Sequence, residues 1–208
     1  MFKQKKVLGI DPGFGRVGLG LILKSGQKME YVDAHTIETD ASLDFYERLG
    51  QIQDELDQYL DLHQPDEVVM EKLYFTKNVT TAINVAEACG VIGLLVAKRG
   101  ILLKKLTPTQ MKMALTGNGK ANKNEVQMMV ERILKNTPDF KNILDDAVDG
   151  LAMAVPQLHA ITPAHEALFA DGAMHKQKSL EKRQKSLERV PPTAEELAVI
   201  HDTFMSSK

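Results

Sequence analysis

The stretch that decides the fold is KKVLGIDPGFGRVGLGLILKSGQKMEYVDAHT, residues 5–36. It contains three largely apolar runs separated by Asp11-Pro12-Gly13 and by Ser25-Gly26, and both separators are typical of turns. Connections as short as these join antiparallel neighbours. The segment therefore predicts three antiparallel strands, with Asp11 at the end of the first.

The residues that follow alternate between helical and strand patterns. Apolar residues spaced three and four apart indicate amphipathic helices, and short apolar runs between turn residues indicate strands. Together the elements predict an α/β fold with a mixed five-stranded sheet, three antiparallel strands followed by parallel ones, flanked by helices. The expected elements after residue 36 are helices over 43–63 and 79–98, strands over 67–73 and 101–106, and shorter helices beginning near residues 108, 124 and 145.

Length and composition favour one globular domain with an extension. The chain has 208 residues, of which 43% are hydrophobic and 26% charged, which suits a normal core. We expect a domain over residues 1–161 and a basic, helical and partly flexible appendage over 162–208, where the pattern changes to runs such as HKQKSLEKRQKSLERVPP. No apolar run reaches the roughly 20 residues of a membrane span, and Cys89 is the only cysteine. We therefore expect a cytoplasmic protein without a membrane segment or disulfides.

The charge of the chain is unevenly distributed. The net charge is only −2, but Glu38–Glu67 carries ten acidic and one basic residue, a net −9, whereas Lys98–Lys141 carries ten basic and three acidic residues, a net +7. A basic segment of this kind is typical of proteins that bind polyanions. Two solvated helix faces of opposite sign would give the same counts.

Two glycine-rich stretches imitate nucleotide-binding motifs. GFGRVG, residues 13–18, matches G-x-G-x-x-G, but the dinucleotide motif needs a helix to begin there and the sequence continues as a strand. GNGK, residues 117–120, is followed by Ala121, where a Walker A loop has Ser or Thr. Neither stretch predicts a nucleotide site.

Four carboxylates suggest a metal site. Asp11 and Glu71 end the first and fourth predicted strands, and Asp146 and Asp149 are three apart on a helix and share a face. If these strands are neighbours and the helix crosses their ends, the carboxylates converge and repel one another unless a cation neutralises them. Oxygen ligands suit Mg²⁺ or Mn²⁺, and two such ions can activate a water and stabilise the leaving oxygen of a phosphodiester.

Each carboxylate also has an ordinary explanation. Asp11 before Pro-Gly is a common turn residue, Asp145 could cap its helix, and Asp146 and Asp149 could be solvated. Glu71 is harder to explain, because a carboxylate beside the apolar run of residues 68–70 needs a partner.

Four motifs resemble, in order and spacing, those of the RuvC family of bacterial Holliday-junction resolvases over about residues 6–160. The resemblance implies a ribonuclease-H-like fold and a homodimer that cuts four-way DNA junctions with Mg²⁺ or Mn²⁺ beside the RuvA–RuvB branch-migration complex. It places the catalytic acids on Asp11, Glu71, Asp146 and Asp149. Gly150 and Val148 depart from a motif that often has alanine at those positions. The motifs are GIDPGFGRVGLG (9–20), VVMEKLYFTKN (68–78), TPTQMK with TGNGKANKNEVQ (107–112 and 116–127) and DDAVDGLAMA (145–154).

The same resemblance indicates DNA-binding residues. It places an aromatic side chain that enters the junction near Tyr74 and Phe75. We expect one ring to stack on an unpaired base and the other to cap the core, with Tyr74 the better match to the family's junction residue. It also matches Lys112 and Lys123 to basic positions of the family. The residues expected to line the path of the DNA phosphates are Lys77, Lys112, Lys120 and Lys123, although such lysines can also be ordinary solvated surface.

Two cuts at a four-way junction require two sites, which a two-fold symmetric dimer supplies. The small residues Ala82, Ala86, Gly90 and Gly93 lie along one side of the second helix, where either the sheet or a partner subunit could approach closely; the sheet is the more ordinary choice.

Two other functional classes compete with this hypothesis. Sugar-kinase or actin-like ATPases also have Asp-x-Gly after a strand, but they need two related halves, and 208 residues without an internal repeat are too few. A junction-binding scaffold without catalysis would not need the full set of acids.

Overall fold

The computed structural model describes residues 4–73 and 79–158, and they contain a single five-stranded sheet with helices on both faces. The strand order is β3-β2-β1-β4-β5; β2 is antiparallel to β1 and β3, and β4 is parallel to β1 and β5. This confirms the predicted mixed sheet. The strands are β1 (Gln4–Asp11), β2 (Arg16–Ser25), β3 (Lys28–Glu38), β4 (Glu67–Glu71) and β5 (Leu102–Leu106); the helices are α1 (Phe45–His63), α2 (Val79–Lys98), α3 (Pro108–Thr116), α4 (Lys123–Ile133) and α5 (Asp145–Ala154).

The two faces of the sheet bury separate cores. On one face, α1 and α2 cover side chains such as Leu8, Leu19 and Met70. On the other face, α3, α4 and α5 cover Val7, Ile22 and Val69. Successive strand residues alternate between the two cores because side chains in a strand point to opposite faces.

Local sequence signals set most helix starts. Asp44, Thr107 and Asn122 precede α1, α3 and α4, and each accepts a hydrogen bond from the backbone of a residue three positions later, whose Glu or Gln side chain bonds back. The start of α5 differs from the suggestion that Asp145 caps it. Leu144 occupies the N-cap position, so Asp145 is the first helical residue and lies one position too late to be the cap; its carboxylate lies 3.3 Å from Lys123.

The small-residue side of α2 does not all face the sheet. Ala88, Ile92 and Val96 pack in the core against the sheet, whereas a Cβ on Gly90 would meet nothing within 4 Å.

Within the described ranges, the part of α2 from Thr81 to Lys98 is also long and apolar enough to span a membrane by length and composition. The expected appendage, residues 162–208, lies outside the described residues.

Candidate active site

Asp11 and Glu71 lie side by side at one edge of the sheet. They are the last residues of β1 and β4, which run parallel with Ile10 paired to Met70. The carboxyl ends of parallel neighbours meet at the same edge, so the two acids that the sequence singled out are brought together there.

Helix α5 brings Asp146 and Asp149 to the same edge. Gly18 of β2 pairs with Asp11, and a Cβ on Gly18 would lie 1.7 Å from the main-chain oxygen of Asp146. The first turn of α5 therefore lies directly over the strand pair that ends at Asp11. We refer to Asp11, Glu71, Asp146 and Asp149 as the acidic cluster.

The environment of Asp11 disfavours its charged form. Burial is the largest cause, and the neighbouring carboxylates of Glu71, Asp149 and Asp146 add to it, while Lys123 acts in the opposite direction. Together they raise the pKa of Asp11 from 3.8 to about 7. The carboxyl thus lacks enough positive charge nearby to ionise normally.

Two further members of the acidic cluster are perturbed in the same direction. Burial, followed by repulsion from Asp149, raises the pKa of Glu71, and Lys112 lowers it in part. Burial also raises the pKa of Asp149, although a hydrogen bond from Lys123 opposes the effect. Three carboxyl groups at this edge therefore share an excess of negative charge.

Oxygen-rich side chains with unneutralised charge are the donors that Mg²⁺ or Mn²⁺ takes, so the residues fit a divalent cation in charge and ligand type. They do not form a finished coordination shell: in the described part of the chain, no three His, Cys, Asp or Glu side chains are already arranged around one ion position. Instead, Lys123 Nζ lies 2.9 Å from Asp149 Oδ2.

The predicted DNA-binding lysines lie in different surroundings. Lys123 contacts the acidic cluster through Asp149, and Lys112 lies close enough to Glu71 to affect its pKa. Lys120 is exposed on the α3–α4 loop, where its backbone N–H donates to Asn118. Tyr74, Phe75 and Lys77 lie outside the described residues.

The sequence reasoning missed Arg16, which the acidic cluster also contacts. Its guanidinium lies 3.1 Å from Glu38 and 3.8 Å from Asp146. Arg16 belongs to the stretch that imitates a dinucleotide motif, and the structure confirms that no helix begins there, because β2 starts at Arg16. The available signal was its position: two residues before Gly18, Arg16 shares the sheet face on which α5 packs.

A clamp of side chains holds the loop between Asp11 and Arg16. The Phe14 ring stacks on Phe45 at 4.7 Å and has the Arg48 guanidinium 4.2 Å from its centre. Arg48 also donates to Thr39 Oγ1, which itself donates to the Phe14 carbonyl oxygen. Contacts from α1 and from Thr39, the residue after β3, thus fix the loop that leaves the acidic cluster.

Comparison with known proteins gives one consistent family. The family model described as crossover junction endodeoxyribonuclease RuvC matches residues 7–157. Proteins of that name from Thermotoga maritima and Pseudothermotoga lettingae are 44% and 43% identical over 149 and 148 residues, covering 72% and 71% of this chain and 88% and 90% of the relatives. The T. thermophilus RuvC structure in complex with a Holliday junction substrate aligns with a TM-score of 0.67 at 30% identity, over 74% of this chain and 93% of that chain. The yeast mitochondrial Holliday junction resolvase Ydc2, at 17% identity and a TM-score of 0.57 over 74% of this chain and 77% of that one, shares the fold.

Proposed function

Because the chain belongs to the RuvC family of crossover junction endodeoxyribonucleases, we propose that its acidic cluster holds the divalent cations with which it cuts four-way DNA junctions. The activity is Holliday-junction resolution by phosphodiester hydrolysis, and the fold is the ribonuclease-H-like one. We assign Mg²⁺ as the metal, with Mn²⁺ able to replace it, because the proposed ligands are all carboxylates. The family match removes the ATPase hypothesis.

The observation that carries this assignment is the uncompensated charge at the ends of β1 and β4. Burial and mutual repulsion raise the pKa of Asp11 to about 7, and burial raises the pKa of Glu71 and Asp149 as well. A structural cluster would be expected to carry its own counter-charges. This one gains most from cations supplied from outside the protein.

The residues divide the catalytic work. Divalent cations held by the acidic cluster would supply an activated water and would stabilise the leaving oxygen of the cleaved phosphodiester. The carboxylates of the acidic cluster, which come from three separate segments of the chain, would hold these cations in place. Partial burial of Asp11 and Glu71 excludes water from the inner side of the site, which strengthens every charge interaction there.

Lys123 has a second role in this proposal. Its ammonium pairs with Asp149 at 2.9 Å and with Asp145 at 3.3 Å. With a divalent cation held by Asp149, the Lys123 ammonium would be repelled and would become available to a phosphate oxygen of the DNA. Lys123 thus links metal binding to DNA binding.

The DNA path runs along the basic segment Lys98–Lys141, which forms β5, α3 and α4. Lys112, Lys120 and Lys123 would contact phosphates there. Tyr74 and Phe75 keep their proposed roles, one ring stacking on the opened junction, with Tyr74 the better candidate by resemblance to the family, and the other capping the core. Lys77 keeps its proposed contact with phosphate. Contacts to phosphate release counterions, so junction affinity should fall steeply with added salt.

A homodimer would provide the paired symmetric nicks. The outward side of α2 supports this proposal, because Ile83 and Leu94 are 48% and 57% exposed and Gly90 between them leaves room for a close backbone approach. Apolar side chains exposed along one helix are typical of an interface. We also propose a cytoplasmic location and cooperation with the RuvA–RuvB branch-migration complex, both by resemblance to the family.

The test is cleavage of a synthetic four-way junction in Mg²⁺ and in EDTA. Wild-type protein should nick two opposing strands symmetrically in Mg²⁺ and none in EDTA. Asp11→Asn should bind the junction and leave it uncut. Asp54→Asn, an exposed carboxylate on α1, is the matched control and should cut normally.

The same assay distinguishes the scaffold hypothesis. A pure binding protein would retain the junction uncut in both conditions, with or without the Asp11→Asn substitution. Normal cutting by Asp11→Asn would instead remove Asp11 from the mechanism.

A further inference from the structure

Helix α5 lies closer to the sheet than side chains would allow, because glycines stand at the contact. A Cβ on Gly18 would lie 1.7 Å from the main-chain oxygen of Asp146. One on Gly20 would lie 2.1 Å from the main-chain nitrogen of Leu151, and one on Gly150 would lie 2.8 Å from the nitrogen of Gly20. Ordinary van der Waals contact begins at 3.4 Å, so the backbones of helix and sheet touch directly.

The contact at Gly18 differs from the others in what it joins. The atom that faces Gly18 belongs to Asp146, and Gly18 is paired across the β1–β2 ladder with Asp11. A single backbone contact therefore connects two members of the acidic cluster. At Gly9, the nearest facing atom is the main-chain oxygen of Gly150, at 2.0 Å, followed by the nitrogen of Ala154 at 2.4 Å, so that contact does not involve an atom of the acidic cluster.

The scale of this contact matters for metal binding. The gap between 1.7 Å and ordinary contact at 3.4 Å means that an alanine at position 18 needs a displacement of about 1.7 Å, and the atoms that must move are backbone atoms of α5. Metal–ligand distances are held within about 0.2 Å, and functional side chains within about 0.5 Å. Such a displacement is several times larger than a coordination site tolerates.

We propose that Gly18 is a positioning residue for the metal site: by admitting the backbone of α5 at Asp146, it sets the separation between the helix carboxylates and Asp11. This inference rests on the proposed metal-binding role of the acidic cluster. Gly150 supports the same contact from the helix side, since its missing side chain lets α5 approach β2.

A purely structural role for Gly18 makes a different prediction. Close packing of α5 could contribute to stability alone, and then Gly18→Ala would lower the melting temperature without changing how the folded protein binds metal. Positioning predicts weaker metal binding in protein that is still folded. Direct binding of Mn²⁺ to DNA-free protein separates the two, measured from the electron paramagnetic resonance signal of free Mn²⁺ well below the melting temperature of each variant.

The variants form a graded series. Gly18→Ala should weaken Mn²⁺ binding at least tenfold, and Gly150→Ala, whose nearest contact is less severe, about two- to fivefold. Gly50→Ala on α1, with nothing within 4 Å of its Cβ, should bind Mn²⁺ like the wild type. Leu56→Ala, in the core on the opposite face, should lower the melting temperature and leave Mn²⁺ binding unchanged.

Asp149→Asn serves as the reference for the metal site itself. If it loses Mn²⁺ binding and folded Gly18→Ala does not, the positioning role is overturned and the metal site stands. If neither variant changes Mn²⁺ binding, the proposal that the acidic cluster binds the metal is wrong. Should Gly18→Ala not fold, Gly150→Ala carries the test, and wild-type affinity in that variant would overturn the inference.

Discussion

Strand β4 begins with Glu67 and ends with Glu71, and the surroundings shift the pKa values of these two carboxyl groups in opposite directions. Glu67 and Glu71 are four residues apart, so both side chains belong to the same face of the sheet. The Glu67 side chain is only 3% exposed and pairs with Lys5 and, at 2.6 Å, with Lys104. Burial would raise the pKa of Glu67, but these two lysines outweigh it and hold the pKa below its ordinary value.

At the other end of β4, burial and the carboxylate of Asp149 raise the pKa of Glu71, and Lys112 offsets this only in part. The difference shows what each carboxylate is for. A buried acid with a structural role has its counter-charges built into the chain, whereas an acid that awaits a cation from outside does not.

The largest expected effect comes from removing the uncompensated glutamate. Glu71→Gln should lower the junction-cleavage rate in Mg²⁺ by a factor of about 10³ or more, because a metal ligand is lost. It should leave stability unchanged or raise it by about 1 kcal/mol, because a buried repulsive charge is removed. Single-turnover cleavage and urea denaturation measure the two quantities. A marked loss of stability would show that Glu71 is structural, like Glu67.

The pH dependence of stability should carry opposite contributions from Asp11, beside Glu71, and from Glu67. Asp11 has a pKa of about 7 when folded and an ordinary value of 3.8, so the folded state retains a proton that the unfolded state releases. Its contribution to stability is therefore present below pH 3.8 and is lost as the pH rises towards 7, by about 2–4 kcal/mol. Glu67, with its lowered pKa, contributes above its ordinary value of 4.5 and loses that contribution as the pH falls.

Urea denaturation in EDTA between pH 4.5 and 8 measures the Asp11 contribution. The wild type should lose stability relative to Asp11→Asn across this range, and adding Mg²⁺ at pH 8 should restore part of it. Parallel curves for the two proteins would contradict the assignment.

Replacing Glu67, whose charge is neutralised by two lysines, should lower stability without changing the cleavage rate. Glu67→Gln leaves Lys5 and Lys104 close together without their shared partner, so stability should fall by about 2 kcal/mol. The cleavage rate at a temperature where the variant is folded should stay within twofold of the wild type. Thermal denaturation and single-turnover cleavage measure these outcomes, and a cleavage defect in fully folded protein would extend the active site to this end of β4.

The smallest expected effect concerns the lysine that partly compensates the acidic cluster. Lys123→Met removes the ammonium from Asp149, so DNA-free protein should bind Mn²⁺ about two- to fivefold more tightly, as expected for a partly exposed ion pair. The same substitution should weaken junction binding and make it less sensitive to salt. Lys141→Met, an exposed lysine in the same basic segment, is the control and should leave Mn²⁺ binding unchanged. Unchanged Mn²⁺ affinity in Lys123→Met would show that the ammonium does not compete with the cation.

Sequence patterns were sufficient for the frame of the fold. The turn at Ser25-Gly26 and the apolar runs around it predicted β1, β2 and β3, and residues 79–98 were correctly assigned to α2. The placement of Asp11 and Glu71 at strand ends followed from the same local signals. Short turns and hydrophobic periodicity depend on neighbours in sequence, which a single chain reveals.

Interactions between distant segments were not predictable in the same way. Lys123 pairs with Asp145 and Asp149, and the contact of Arg16 with Asp146 joins residues 130 positions apart. The close approach at Gly18 depends on a helix that begins more than 100 residues later. The local sequence around a glycine does not show which distant segment of backbone will pack against it.

The arrangement of the helices also gives the molecule an electrical polarity. Helix α1, with five acidic residues and one arginine, covers one face of the sheet, whereas the basic residues of the segment Lys98–Lys141, net +7, run from the end of α2 through β5, α3 and α4 to the loop after them. An approaching polyanion is repelled by α1 and attracted to this basic segment, so the field turns the protein before contact and increases the rate of productive encounters at low ionic strength. A net charge close to zero therefore does not prevent fast association with DNA, because the dipole and not the total charge guides the approach.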